Sequence, residues 1–209
     1  MSTTTSTTLP ATTTGISPYR WRVVDIVVAS VIAVASGLVL SLWNLSYDQV
    51  TAPLALALPG LQALLYGIWL LPGVLVALVV RKPGAALFGE ILAATVSAFV
   101  VSQWGLLTIE SGLVQGLGAE LVFALFLYRR WNLTVAMLAG AAAGVAMVIN
   151  DLTLYFVGAD TGFAIAYAIS GVVGGALVAG LLSWLLTRGL ARTGVLNRFA
   201  AGRAIAKRV

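Results

Sequence analysis

Apolar residues form long uninterrupted runs along this chain, with only short polar stretches between them. A run of about twenty apolar residues is long enough to cross a bilayer as a helix. The pattern therefore predicts an all-α polytopic membrane protein with six transmembrane helices. The stretch between the first two runs is predicted to be an external loop that dips back toward the membrane. The predicted spans are residues 23–43, 58–80, 84–103, 111–128, 132–157 and 162–187, and the predicted loop is 44–57.

The composition supports a membrane protein and narrows its chemistry. Of the 209 residues, 60% are hydrophobic and 9% are charged, whereas soluble domains carry about 25% charged residues. The chain has no Cys and no His, which excludes disulfides, thiol nucleophiles, the usual zinc sites and histidine bases. It also lacks a phosphate-binding glycine loop. We therefore predict that the protein is not an enzyme, needs no cofactor, binds no nucleic acid and is surrounded by membrane lipid.

The basic residues predict the orientation of the chain. All 12 lie before the first run, between the second and third, between the fourth and fifth, or after the sixth. Because loops rich in Lys and Arg stay in the cytoplasm, we predict that both termini are cytoplasmic. The opposite loops carry the acidic residues Asp48, Glu110 and Asp160.

The two ends of the chain differ from the region between them. Residues 1–19 are rich in Ser and Thr and uncharged, so we predict a disordered, retained tail. Residues 20–188 are predicted to form the membrane domain. Residues 189–209 are predicted to be a basic cytoplasmic tail that meets anionic headgroups, with partner docking as the alternative.

Carboxylates inside the apolar runs are the main candidates for function. Asp25 lies close to Arg22 and is expected to be neutralised by it. Glu90, Glu120 and Asp151 have no basic residue at their level in the membrane. A charge at the bilayer centre costs about 2.5–3.5 kcal/mol on insertion scales. An acidic residue that lacks a basic partner there therefore indicates a functional site. The alternative is a protonated, hydrogen-bonded carboxyl group.

Depth and helical period place these acids in one predicted cavity. At ~1.5 Å per residue, Glu90 and Glu120 each lie about 12–13 Å from the nearest basic loop, so they are expected to face one another in one layer. Polar and aromatic residues continue outward from them at helical spacing. We predict an outward-open cavity whose floor is these two glutamates. Its predicted wall is Gln62, Tyr66, Trp69, Ser97, Trp104 and Gln115, with Asp151 and Tyr155 at the mouth.

Parts of this pattern also fit roles other than ligand binding. Aromatic residues near span ends commonly form belts at the two membrane interfaces. Glycine pairs four residues apart, such as Gly140 and Gly144, are expected to serve helix packing instead of binding.

Aromatic walls above carboxylates favour a small aromatic or cationic ligand. Three functions fit such a cavity: a substrate-binding subunit of a transporter, a proton-coupled secondary transporter of a small cationic solute using Glu90 and Glu120, or a membrane scaffold. Secondary transporters often contain inverted repeats, and the two halves of this chain show no convincing similarity, which weakens the second function.

Three motifs resemble a known family: RKPGAALFGEILAA (81–94), SQWGL (102–106) and GLVQGLGAELVFALF (112–126). Over about residues 20–188 the chain resembles the YkoE-type substrate-binding (S) components of energy-coupling-factor (ECF) transporters. The resemblance implies six helices, a ligand bound on the external side, no ATPase activity and a location in a prokaryotic plasma membrane. It also implies a transmembrane coupling protein and cytoplasmic ATPase subunits as partners.

The resemblance further implies the ligand and a docking surface. The ligand would be thiamine or its hydroxymethylpyrimidine precursor. Acids without bases suit the permanent positive charge of thiamine, and we expect Glu90 and Glu120 to contact its charge and its amino group. Family members dock through an A-x-x-x-A motif on the first helix, which Ala29 and Ala33 match, with Gly37 extending the ridge.

Overall fold

The computed structural model describes residues 19–194, 196 and 202, and within these residues the chain is helical with no strand. The long apolar stretches form helices, and most breaks fall at the polar stretches between the runs. The elements are α1 (Val23–Ala57), α2 (Ala63–Tyr66), α3 (Leu71–Val80), α4 (Ala85–Val100), α5 (Leu107–Leu125), α6 (Leu133–Leu154), α7 (Thr161–Gly174), a π-helical segment (Gly175–Leu181) and α8 (Leu182–Arg192).

These elements form six helical rods in the described part of the chain. Helices α2 and α3 make one broken rod, while α7, the π-helical segment and α8 run on without interruption. Four rods are long and apolar enough to cross a membrane, and α4 is a shorter apolar helix of 16 residues. The predicted all-α fold with six helical rods is confirmed, and the orientation of the termini stays a prediction.

Helix α3 lies at the centre of the bundle. It contacts α1, α4, α5, α6, the π-helical segment and α8, and every residue from Pro72 to Val80 is buried. A helix surrounded on all sides needs no polar face, which explains its sequence LPGVLVALVV.

The predicted external loop at 44–57 is wrong, because α1 continues as a helix to Ala57. The stretch contains no glycine, and its only proline, Pro53, lies inside the helix. Asn44 and Thr51 are buried against the rest of the bundle, so tertiary contacts support the helix past the end of the apolar run. With ~1.5 Å per residue this helix is longer than the hydrocarbon core of ~30 Å, so part of it projects beyond that core.

The predicted docking surface on α1 is also wrong. Ala29 and Ala33 are fully buried, and Gly37 is buried as well. A Cβ atom on Gly37 would lie 2.7 Å from the backbone oxygen of Ala93 and 2.7 Å from Cβ of Val96. These small residues therefore let α1 pack against the inside of the bundle, and they are not available to a partner.

The predicted packing role of the glycine pairs is confirmed. A Cβ atom on Gly140 would overlap the backbone oxygen of Gly175, and one on Gly144 would lie 2.5 Å from the backbone oxygen of Gly171. The sixth rod therefore approaches α6 backbone to backbone, as small residues at helix crossings allow.

The basic loops meet at one end of the bundle. The predicted pairing of Asp25 with Arg22 is confirmed: Nη2 of Arg22 lies 2.7 Å from Oδ1 of Asp25. The Asp25 carboxylate raises the pKa of the Arg22 guanidinium above its usual value. Nearby, Nε1 of Trp21 donates to the carbonyl of Pro83 over 2.8 Å. The first rod is thus tied to the loop before α4.

The predicted tails lie largely outside the described residues. Only residue 19 of the predicted N-terminal tail is described. At the other end, α8 continues to Arg192, four residues past the predicted end of the membrane domain at residue 188.

Candidate functional site

A cavity of about 300 Å³ lies at the end of the bundle opposite the basic loops. Its wall comes from α1, the broken second rod, α4, α5, α6 and α7. Eight of the ten residues predicted to contact a ligand line it: Tyr66, Trp69, Glu90, Ser97, Trp104, Gln115, Asp151 and Tyr155. The structure brings these eight together, and it places Glu120 and Gln62 elsewhere.

One wall of the cavity is a cluster of aromatic rings around Trp69. Its ring centroid lies 4.8 Å from that of Tyr66, 5.2 Å from that of Tyr47 and 5.5 Å from that of Trp104. These separations and the edge-on ring planes are those that aromatic pairs prefer. Sequence reasoning missed Tyr47, because the stretch that contains it was predicted to be a loop and not a continuation of α1.

Hydrogen bonds fix the orientation of Trp69. Its Nε1 donates to Oδ1 of Asn44 over 2.8 Å, and Nδ2 of Asn44 donates to Oγ of Ser97 over 2.9 Å. Because this chain of bonds joins α1, the second rod and α4, the tryptophan ring is held in place before any ligand arrives. Ser97 thus lines the cavity and also supports its wall.

The opposite wall centres on Asp151. The hydroxyl of Tyr167 donates to Oδ2 of Asp151 over 2.5 Å, and Tyr167 is fully buried. The Tyr167 ring lies 5.1 Å from Phe156 and 6.0 Å from Tyr66 between centroids. The aromatic lining therefore runs from one wall to the other, with a carboxylate among the rings of the second wall.

Glu90 lies at the inner end of the cavity and is 2% exposed. Its Oε2 accepts a hydrogen bond of 2.6 Å from the backbone N–H of Gly73, the third residue of α3. The first four amides of a helix have no partner within the helix, so Glu90 satisfies one of them.

This amide is available within the membrane because the second rod is broken. Between α2 and α3 the chain makes three-residue turns, such as Trp69 N–H to the carbonyl of Tyr66 over 3.0 Å. Pro72 then occupies the second position of α3, where a missing N–H costs nothing. The sequence showed this proline, but the predicted span at 58–80 was continuous.

Glu120 is not part of the cavity floor, so the predicted pair of facing glutamates is wrong. Its Oε1 accepts from the N–H of Gly84 over 2.6 Å, and its Oε2 accepts from the N–H groups of Ala86 at 2.8 Å and Leu87 at 3.3 Å. The side chain thus caps the start of α4. Tyr128, in the turn after α5, lies next to this carboxylate. Burial of the Tyr128 hydroxyl, and to a smaller extent the negative charge of Glu120, raises the pKa of Tyr128 to about 12.

The error in depth has a simple cause. The predicted depth requires a continuous helix from Glu120 to Arg129, but α5 ends at Leu125. Leu127 and Tyr128 then take left-handed backbone angles, with φ of 53° and 55°. The chain turns instead of rising there, and Glu120 lies closer to the basic end than the count suggested.

Gln62 is likewise not a wall residue. Its Oε1 accepts from the backbone N–H of Gly60 over 2.8 Å. Gly60 has a φ of 100°, a left-handed conformation that glycine adopts without strain. Gln62 therefore stabilises the turn before α2.

Both glutamates are compensated by helix N-termini. In the described part of the chain, the recorded ion pair is that of Arg22 with Asp25, and neither Glu90 nor Glu120 has a basic partner. Each instead accepts backbone N–H groups where a helix begins, at the positive end of the helix dipole. An acid in an apolar run can therefore be stabilised by the fold alone.

The charge of the cavity lining is one-sided. Glu90 and Asp151 line it, and no Lys or Arg does so among the described residues. The same residues contain no group of three or more acidic, His or Cys side chains placed to hold a metal ion.

Comparison with known proteins relates this chain to a transporter family. The family described as "ABC-type cobalt transport system, permease component" matches residues 24–146. A Bacillus subtilis (strain 168) protein, provisionally named the HMP/thiamine permease protein YkoE, is 38% identical over 189 residues, which is 90% of this chain and 94% of the relative. A crystal structure of an S-component of an ECF transporter superposes with a TM-score of 0.83 at 37% identity, covering 90% of this chain and 95% of that one.

The agreement covers the fold, nearly the full length and the six-rod architecture that encloses the cavity. The same similarity to transporter components places the chain in the plasma membrane as a multi-pass protein of a transport system. The chain therefore belongs to the YkoE-type substrate-binding components of ECF transporters.

Proposed function

We propose that the cavity binds thiamine or its hydroxymethylpyrimidine precursor from the external side of the membrane. The observation that carries the proposal is the lining: two carboxylates, aromatic rings on both sides and no basic residue among those described. Thiamine offers a permanent cation, a flat aminopyrimidine and no negative charge. The name of the Bacillus subtilis relative, which refers to HMP and thiamine, supports the same ligands.

The dimensions of the cavity agree with such a ligand. A volume of about 300 Å³ is at the lower end of the ~300–1,000 Å³ that small-molecule pockets span. Rings held by the Trp69–Asn44 hydrogen bond are pre-organised, which lowers the entropy lost on binding.

We propose further that transport requires an ECF coupling protein in the membrane and cytoplasmic ATPase subunits. The chain has no nucleotide-binding glycine loop of its own. With both termini in the cytoplasm, the cavity faces the exterior and the basic loops face the ATPases. In this arrangement residues 20–188 form the binding domain.

The two other functions have less support. A proton-coupled transporter would use Glu90 and Glu120 together, but Glu120 is occupied by the start of α4 and does not reach the cavity. A scaffold has no need for a cavity with buried carboxylates.

The test is a titration of the purified full-length chain with thiamine and with hydroxymethylpyrimidine in the absence of ATP. We expect tight binding of at least one of them and none of pantothenate, an anionic vitamin. Reconstituted uptake should require the coupling protein and the ATPases. Failure to bind either compound would refute the proposal, and so would uptake by the chain alone that stops when the proton gradient is discharged.

A further inference from the structure

We infer that the two carboxylates of the cavity contact different parts of the ligand: Glu90 binds the neutral aminopyrimidine edge, and Asp151 binds the positive charge of the thiazolium ring. This assignment rests on the proposed function, and it fixes the direction in which the ligand lies. The pyrimidine points to the inner end of the cavity, and the thiazolium ring points to the mouth.

The first argument is the electrostatic environment of Glu90. Its Oε2 accepts from the N–H of Gly73 at the start of α3, where the helix dipole is positive. That dipole offsets the negative potential of the carboxylate toward the cavity. No protein donor to Oε1 is recorded among the described residues, so this oxygen can accept from an amino group of the ligand.

The shape of the inner end supports the same assignment. A Cβ atom on Gly112 would lie 2.5 Å from Cβ of Ala94 and 3.3 Å from the backbone oxygen of Glu90, so α4 and α5 are in close contact there. Ala94, Gly112 and Gln115 all line the cavity beside Glu90. Small residues leave a narrow space that suits the edge of a flat ring, and the Gln115 amide can both donate to and accept from ring substituents.

Asp151 has the opposite environment. It lies in the last turn of α6, which ends at Leu154, and the C-terminal end of a helix carries a negative dipole. The dipole therefore adds to the field of this carboxylate. Tyr155, Phe156 and Tyr167 line the cavity around it, and aromatic faces attract cations. A cation is thus favoured at Asp151 more than at Glu90.

Two ligands separate these roles, because hydroxymethylpyrimidine contains the pyrimidine but not the thiazolium cation. Glu90→Gln should weaken the binding of both compounds, since both present the amino group. Asp151→Asn should weaken thiamine alone. Both substitutions keep an oxygen that can accept the existing bond, from Gly73 in one case and from Tyr167 in the other.

The experiment measures the dissociation constants of both compounds for the full-length wild type and three variants in detergent. We expect Glu90→Gln to weaken both compounds by about tenfold or more, and Asp151→Asn to weaken thiamine by about tenfold while hydroxymethylpyrimidine changes by less than about threefold. The matched control is Asp160→Asn. Asp160 accepts from the N–H of Phe163 at the start of α7, asparagine caps a helix equally well, and Asp160 does not line the cavity.

Three results would overturn the inference. An Asp151→Asn variant that loses both compounds equally, or neither, shows that Asp151 does not bind the cation. A wild type that binds the pyrimidine but not thiamine shows that the mouth does not accept a cation. A wild type that binds neither compound removes the proposed function, and this division with it, whereas the first two results leave the proposed function standing. Melting temperatures of all variants distinguish lost contacts from lost folding.

Discussion

Substitution of Glu120 by alanine tests whether this acid stabilises the fold instead of binding a ligand. Its carboxylate receives two short hydrogen bonds, from Gly84 at 2.6 Å and Ala86 at 2.8 Å, and a longer one from Leu87 at 3.3 Å. Hydrogen bonds to charged groups contribute ~1.5–3 kcal/mol each. Two such bonds at the lower value give about 3 kcal/mol, and glutamine, which can keep one of them, should cost about half as much.

The loss should appear in stability and not in affinity. For a chain of this size, 1 kcal/mol corresponds to ~2–4 °C in Tm, so Glu120→Ala should melt about 6–12 °C below the wild type. Thermal unfolding in detergent, followed by intrinsic fluorescence, measures the shift. The affinity for thiamine or hydroxymethylpyrimidine, measured well below the Tm, should change by less than about threefold. A variant with wild-type Tm and an affinity at least about tenfold weaker would refute this reasoning and restore Glu120 to the binding site.

Two further predictions concern packing and orientation. Gly37→Val should lower the free energy of unfolding by about 1–3 kcal/mol, because its Cβ would lie 2.7 Å from the backbone oxygen of Ala93. The control, Leu38→Val on the exposed face of α1, should melt like the wild type. Equal melting temperatures of the two variants would contradict the buried position of Gly37. Because the chain has no native Cys, single-cysteine variants can report topology: Ser102→Cys should react with an impermeant maleimide from outside intact cells, and Asn132→Cys only after lysis. Reaction of both, or of Asn132→Cys alone, in intact cells would contradict the predicted orientation.

The sequence predicted the parts of the fold that follow from local composition. Apolar runs of bilayer length predicted the helical rods, and helical spacing brought Tyr66, Trp69 and Trp104 to one cavity. Glycine pairs at packed crossings were also recognisable, because a residue without a Cβ atom at helical spacing has few other uses. The pairing of Asp25 with Arg22 followed from their separation of three residues at the start of the first helix.

The errors arose where distant backbone groups determine the outcome. The hydrogen-bond partners of Glu90 and Glu120 are backbone N–H groups at the starts of α3 and α4. The types of side chain in the sequence do not indicate which backbone N–H groups will be free to bind a distant carboxylate. The position of Glu120 depended on where α5 ends, and helix ends are the least certain feature of a long apolar run. Ala29 and Ala33 matched a docking motif, but small residues on a helix face serve an internal crossing equally well.

An acidic residue in an apolar span is therefore not a ligand-binding residue merely because it lacks a basic neighbour. Both glutamates have the same lack of basic neighbours, yet one lines a cavity and the other is enclosed at a helix start. The two glutamates differ in whether a carboxylate oxygen still faces the cavity once the side chain has accepted its hydrogen bonds from backbone N–H groups. Glu90 and Asp151 both line the cavity, and we therefore propose these two as the carboxylates that recognise the ligand.

An experimental structure of the chain with thiamine bound tests the central claim most directly, because it shows which carboxylate contacts the ligand. We predict ligand density in the cavity beside Trp69, with the pyrimidine amino group within about 3.2 Å of a Glu90 carboxylate oxygen. Density outside this cavity, or a bound ligand that leaves Glu90 without a contact, would contradict the account.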